Sequence, residues 1–435
     1  MRIAIVGSGI SGLASAWLLS RQHEVHLFEA DARLGGHTDT HDIELDGRGY
    51  RIDTGFIVHN PQHYPLLTAM FDELGVQSQP TTMSFSAHHE ATGLEYNADT
   101  LGSLFSQRRN TVSPRFWRML VDLVRFYRSA PALLEEPGNG PTLGDYLDAG
   151  NYGRLFREAH LVPMASALWS SPAARIESFP AKYLVRFMAN HQMLQLSGRP
   201  QWRVVRGGSS TYIHALQSAW RVRERVGCPV LALRRDAEGV EVTYPGGVER
   251  FDQVVVACHS DQALSLLADA DERETSILGS IPYQSNDTVL HTDAALLPRN
   301  PRAWAAWNAF VPADPAQACT VSYCMNVLQS VQTSSPLVVT LNRTDAIDPA
   351  RILRRRTYSH PVYTHASVAA QARRHEIQGA RHTWFAGAYW GWGFHEDGIR
   401  SAADVARALG AHWPVPVPVP AHATSAGAHL AAVPA

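Results

Sequence analysis

The segment Arg2-Ile3-Ala4-Ile5-Val6-Gly7-Ser8-Gly9-Ile10-Ser11-Gly12 runs from a short, mostly apolar stretch into a G-x-G-x-x-G turn. Arg2 to Val6 reads as a buried strand, and Leu13 to Ser20, rich in Ala and Leu, reads as the helix behind it. Glycines at this spacing permit a tight turn, let backbone N–H groups approach a pyrophosphate, and allow helix and strand to pack closely. Glu24 to Glu29 reads as a second strand, and Glu29 stands 22 positions after Gly7. A carboxylate there accepts hydrogen bonds from adenosine ribose hydroxyls and disfavours a 2′-phosphate, so the segment predicts a dinucleotide site. Arg2 ahead of an apolar stretch ending in Ala14-Ser15-Ala16 has the outline of a secretory signal, but the glycine spacing argues against that reading.

Outward from this segment, Asp42 to Asp46 and Tyr50 to Asp53 flank Asp46-Gly47, a hairpin signal, and a helix over Tyr64 to Leu74 closes at Gly75. From about Pro80 to Pro200 the pattern turns helical, aromatic and arginine-rich, which reads as a separate cap. Val240 to Tyr244, Val248 to Phe251 and Val254 to Cys258 read as a small β-meander, and the last helix runs from near Gly398 to Leu409. The expected fold class is therefore α/β. A Rossmann-type domain of parallel sheet plus β-meander (residues 1–80, 200–263 and 375–413) interleaves with a mixed α+β substrate or cap domain (81–199 and 264–374). Residues 414–435, a Pro/Val/Ala tail, read as disordered.

The continuation Glu29-Ala30-Asp31-Ala32-Arg33-Leu34-Gly35-Gly36-His37-Thr38 resembles the extended motif of the glutathione-reductase-type flavoproteins, in the branch with amine oxidases, protoporphyrinogen oxidase and phytoene desaturase. Ile52-Asp53-Thr54-Gly55, Gly207-Gly208-Ser209 and the closing stretch Trp384 to Ala402 resemble three further segments of that plan. The resemblance implies FAD as cofactor. It implies a binding set of Gly7, Gly9, Ile10, Ser11, Gly12, Glu29, Ala30, Arg33, Gly35, Gly36, His37, Thr54, Gly55, Phe56, Val230, Gly387, Asp397, Gly398 and Ile399. Arg33 would meet the phosphates, and a helix opening near Gly398 would aim its N–H groups at the flavin. Ala388 departs from the pattern, since relatives often carry Glu there. His395 falls where amine oxidases place an aromatic cage residue, which makes it the first candidate for substrate contact or proton handling, with Tyr389 and Trp392 beside it. A closer resemblance, over segments such as Asp53 to Asn60, Met83 to Ser86 and Trp304 to Asn308, is to bacterial amine-oxidase-like FAD proteins encoded beside cyclopropane-fatty-acyl-phospholipid synthases. It implies oxidation of lipid acyl chains.

Composition sets the outer limits. Lys+Arg 38 against Asp+Glu 40 leaves a net charge of -2, with no global field for nucleic acid. Lys182 is the only lysine, which weakens simple amine oxidation, because amine oxidases of this branch use a lysine-held water. Four scattered cysteines without a CxxC pair fit a reducing compartment and the cytoplasm. His37 to Asp42 and His88-His89-Glu90 lack metal-ligand spacing, so no metal is expected, and no GxSxG elbow or Walker loop supports hydrolase or NTPase chemistry. Arg108 to Arg128 carries six arginines and only Asp122 as an acid, interleaved with apolar residues at helical spacing. Such a helix is either a cap helix with a solvated face or a peripheral contact with anionic membrane at its inner face. Three functions stay open: dehydrogenation or desaturation of a lipid acyl chain, oxidation of an amine or other small substrate, and a non-catalytic flavin-bearing partner. The electron acceptor is not legible.

Overall fold

The structure, a computed structural model, describes residues 1–138, 140–169, 176–196, 198–314, 317–411 and 413; the tail read as disordered lies outside the described residues. β1 (Arg2–Val6) leads into helix α1 (Ile10–Leu19) and then β2 (Glu24–Phe28). Strands β3 (Val222–Arg225), β4 (Gln253–Val256) and β5 (Thr383–Phe385) join them from far along the chain. Together they make a five-stranded parallel sheet in the order β3-β2-β1-β4-β5, with Val6 in register between Phe28 and Val256. Central strands of such a sheet are covered on both faces, and Ile3, Ala4, Ile5, Leu27, Val254, Val255 and Val256 are accordingly apolar and fully buried.

That burial corrects one expectation. The meander consists of Ala232–Arg235, Val240–Tyr244 and Gly247–Phe251, one strand earlier than read, while the run expected as its third strand is β4 of the parallel sheet. Val254 to Val256 are continuously buried, whereas Val240 to Tyr244 alternate, as a half-covered antiparallel strand does. The hairpin Thr40–Leu45/Arg48–Asp53 turns at Asp46 and Gly47, both left-handed, which is the type I′ geometry its twist requires.

A second, seven-stranded mixed sheet is built from Phe85–His89 and Leu94–Asn97 together with strands between Tyr283 and Pro361. The stretch from Pro80, whose pattern reads as helical, thus opens with two strands. Its outer strand Ile352–Pro361 exposes Arg354, Arg355 and Arg356, charges that discourage pairing with a foreign edge. The cap helix, Pro114–Ser129, starts with Ser113 Oγ accepting from the N–H of Phe116, and buries Phe116, Met119, Leu123, Phe126 and Tyr127 in the cap core.

The closing helix, His395–Ala408, begins three residues before the expected Gly398, because Asp397 Oδ2 reaches back to the N–H of Phe394 and caps it. It lies across α1, all ten residues of which are buried. A Cβ on Gly12 would stand 1.9 Å from the carbonyl oxygen of Gly7, and both are backbone-anchored. Replacing Gly12 by Ala is therefore expected to lower unfolding free energy by at least about 1–3 kcal/mol, as overpacking does, read as a lower denaturant midpoint with an unchanged slope.

Candidate active site and cofactor cleft

The carboxyl ends of β1, β2 and β4 open into one cleft of about 1600 Å³, beyond the roughly 300–1,000 Å³ of an ordinary small-molecule pocket. Its nucleotide end is walled by Gly7 to Ser11, Glu29 to Asp31, Arg33, Gly36 and His37. This is the crevice at which open parallel sheets bind ligands. The N-terminus of α1 faces it with no acid in its own first turn. A Cβ on Gly9 would meet nothing within 4 Å, so the wall there is left open toward the cleft. His37 Nε2 is buried without a partner, and His37 lines the same wall. An open glycine turn, a helix N-terminus and an orphaned imidazole nitrogen fit a long anionic dinucleotide.

The cleft brings together most of the residues singled out in the sequence: Gly7, Gly9, Ile10, Ser11, Glu29, Ala30, Arg33, Gly36, His37, Thr54, Gly55, Phe56, Val230, Gly387, Tyr389 and His395 all line it. Glu29 Oε2 accepts from the N–H of Ser8 at 2.8 Å, and Oε1 from the N–H of Asp31 at 2.8 Å, which fixes the carboxylate at the wall. Arg33, which the motif implies meets the phosphates, lines the cleft and is also tied to its own turn. It donates to the carbonyls of Gly36 and Thr38 and pairs with Asp39 at 3.0 Å, which holds the Gly35-Gly36 turn in shape.

Gly12, Gly35, Asp397, Gly398, Ile399 and Trp392 do not line the cleft. Gly12 packs on Gly7, Gly35 sits under Ile213 and Thr38, and Gly398 fits against Ile10 and Ser11. Ile399 is in the core, and Asp397 accepts from the N–H groups of Trp392 and Phe394. Trp392 leans its ring on Phe187 and His191 and does not itself line the cleft. Tyr389 is 2% exposed and packs on Trp390.

His395 does face the cleft, stacked on Phe56 with ring centroids 3.7 Å apart, and its Nε2 shares hydrogen bonds with Thr38 Oγ1 and Tyr212 Oη. The expectation that it titrates near neutrality fails: burial, with a contribution from His59, lowers its pKa to about 3. It is a neutral, fixed ring. Residues from distant segments complete this zone, and no local motif marked them as site residues. His360 and Tyr358 stand beside His37, with ring centroids 5.1 and 5.2 Å away, and His259 stacks on Tyr283 at 4.3 Å. Burial lowers the pKa of His37 well below its ordinary value, of His360 to about 4 and of His259 in the same direction.

Beyond this zone the cleft continues under the cap along Phe85, Leu104, Met119, Leu120, Leu123 and Met164. His160 is a polar group in this arm, with Nδ1 2.9 Å from Tyr96 Oη. Lys182 lies elsewhere, donating to the carbonyls of Glu136 and Gly138. Among the described residues, no group of His, Cys, Asp and Glu is arranged to hold a metal ion.

Residues 10–292 match the family model described as flavin containing amine oxidoreductase. The chain is 26% identical over 271 residues to a protein of Mycobacterium tuberculosis described as a flavin-containing monoamine oxidase, covering 59% of this chain and 56% of that one. The chain thus spans little more than half the length of that curated relative. Two solved structures share the fold: cyclohexylamine oxidase from Brevibacterium oxydans (TM-score 0.66, 17% identity, 94% of this chain and 99% of that one) and a CLA-producing fatty acid isomerase from P. acnes (TM-score 0.65, 15% identity, 94% and 98%).

Two outcomes follow from the site. Gly9→Val places a side chain into the open wall, so the purified variant is expected to carry much less flavin, while the apoprotein keeps its unfolding free energy within about 0.5 kcal/mol. The second concerns pH. Burial lowers His59, His160, His191, His291 and His360 to about 4 and His395 to about 3, against an ordinary 6.5. A histidine lowered in the fold stabilises it above pH 6.5, and that contribution is lost as pH falls toward the folded value. Glu396 (raised to about 7) and Asp53 (raised to about 6) act oppositely, losing stability as pH rises, but the histidines outnumber them. Unfolding free energy is expected to drop on the order of a few kcal/mol between pH 6.5 and 4.5, measured by denaturant titration across that range.

Proposed function

The chain belongs to the flavin-containing amine oxidoreductase family, and from that membership we propose that it is an FAD enzyme that dehydrogenates a long apolar substrate, a phospholipid acyl chain carrying a methyl branch or a double bond. The observation that carries this reading is the arm of the cleft lined by Phe85, Leu104, Met119, Leu120, Leu123 and Met164, in which His160 and Tyr127 are the polar lining, with Arg199 beside Tyr127 and Asp99 at the rim. An alkyl chain gives up no hydrogen bond by entering such a channel, and what it gains by leaving water offsets the entropy lost on confinement.

Gly7 to Ser11, Glu29, Gly36 and His37 would hold the cofactor, with Arg33 keeping the turn that presents Gly36 in place. FAD, when bound, supplies the acceptor for a hydride. The chain's own residues do the rest. The apolar arm orients the substrate and excludes water. Dehydrogenation also releases a proton; burial disfavours the charged form of His37, His259, His360 and His395, so these rings would line the reacting zone as neutral groups and would hold that proton only in passage to solvent.

Amine oxidation is the second reading, favoured by the likeness to the protein described as a monoamine oxidase. Lys182 stands apart from the cleft, so the lysine-held water of that chemistry has no counterpart at this residue. An anaerobic titration of the flavin spectrum decides between them. Bleaching by phospholipids with methylated or unsaturated chains, and a new double bond by mass spectrometry, is the expected result. Bleaching by primary amines alone would replace it with the second reading. Leu123→Glu, which places a charge in the arm, is expected to slow lipid-dependent bleaching roughly tenfold or more while the bound flavin content stays unchanged.

A further inference from the structure

Of the nine large hydrophobic side chains exposed among the described residues, four fall between positions 101 and 121: Leu101 (78% exposed), Val112 (80%), Trp117 (49%) and Val121 (62%). A fifth, Leu196 (69%), sits on the rim of the cleft. Isolated exposed hydrophobics need no explanation, but clustering of this kind does. Trp117 and Val121 lie on one face of the cap helix with Arg118, Arg125 and Arg128, spaced three to four residues apart, and all five are exposed. Trp117 is held in place, its Nε1 donating to the carbonyl of Thr111 at 2.8 Å and its ring resting on Phe105.

The charge on this face is predominantly positive. Arg108, Arg115 and Arg128 pair with no carboxylate among the described residues, and the single acid of the helix, Asp122, is buried and occupied by Arg118 and Arg125. Arg302, on a loop held against the 101–106 segment by the bond from Asn300 to Ser106, adds to it; Asp99 on the rim is the opposing exposed carboxylate. The neighbouring edge of the same helix, Met119, Leu120, Leu123 and Tyr127, walls the apolar arm of the cleft. The arm's rim is exposed at Ala98, Asp99, Leu196 and Arg199. One helix therefore joins an arginine-and-tryptophan surface to the lining of the cleft's arm.

We propose that this face, formed by Leu101, Val112, Trp117 and Val121 with the arginines around them, docks on an anionic lipid surface and holds the cleft mouth at the level of the acyl chains; the second clause rests on the acyl-chain reading of the site. Tryptophan and aliphatic side chains enter the interfacial layer, while arginines extend to lipid phosphates.

Flotation of the flavin-loaded protein with phosphatidylglycerol vesicles, and with phosphatidylcholine vesicles as the neutral counterpart, tests the docking directly. Binding to the first, weakened by salt, is expected. Arg115→Glu and Arg128→Glu should each lower the partition coefficient about fivefold or more, and Trp117→Ser with Val121→Ser should lower it further, with the flavin spectrum preserved. Absence of flotation, equal flotation with neutral vesicles, or indifference to these substitutions would overturn the proposal. So would a lipid-free dimer that Trp117→Ser dissociates, since it assigns the face to a second copy. Bleaching by detergent-dispersed phospholipid keeps the two readings apart. Flotation without bleaching supports docking and overturns the acyl substrate, whereas bleaching without flotation overturns docking alone.

Discussion

The closeness with which α1 approaches its neighbours governs the rest of the nucleotide half. Three glycines set it: Gly12 against the carbonyl of Gly7, Gly36 against the backbone of Gly9, and Gly398 against Ile10 and Ser11. Any side chain at these points would push the helix off the sheet, off the Gly35-Gly36 turn or off the closing helix. Because all three contacts hold, a ten-residue helix is buried along its whole length and its N-terminus is aimed into the cleft. The cleft exists where it does because these backbones touch.

The halves of the discontinuous chain are tied by buried carboxylates that accept backbone N–H groups from remote segments. Asp53 takes the N–H of Ser209, with the hydroxyls of Ser209 and Thr40. Glu95 takes the N–H groups of Arg299 and Asn300, and Glu396 those of Leu66 and Leu67. Each bond satisfies groups that would otherwise be costly to bury, and charge makes it stronger than a neutral pair. Desolvation nevertheless dominates the ionisation of two of them, raising Asp53 to about 6 and Glu396 to about 7. The same loss of water keeps the cleft histidines neutral, so one physical cause shapes both the framework and the site.

The cleft itself changes character along its length. Near α1 it offers backbone donors and a helix N-terminus; around His37, His259, His360 and His395 it offers uncharged rings; under the cap it is mainly alkyl-lined, with Tyr127, His160 and Arg199 as polar groups. That gradient places a polar region and an apolar region within a single cavity. The cap helix serves both the inner wall and the outer surface, so packing, channel shape and surface chemistry are coupled through sixteen residues. Among the described residues no helix is long and apolar enough to cross a membrane.

Local spacing was enough to read β1, α1 and β2, the hairpin at Asp46-Gly47 and the glycine turns, because a tight turn or a buried strand is dictated by a few adjacent residues. It was enough also for most of the nucleotide wall, where Gly7, Gly9, Glu29 and Gly36 lie within one supersecondary unit. It did not reveal that Val254 to Val256 join the parallel sheet, since a short apolar run looks the same in either sheet and only burial on both faces decides. Nor did it reveal that Arg33 is tied to Gly36, Thr38 and Asp39, that Trp392 turns away from the cleft, or that His395 is too buried to titrate near neutrality. His259, His360, Tyr283 and Tyr358 come together with His37 from separations of more than two hundred residues. The sequence by itself determined the glycine-rich turn after β1 and the class of fold, because those follow from glycine and local periodicity; tertiary packing alone decided which side chains face the cleft and in what charge state, because exposure and desolvation belong to the assembled core.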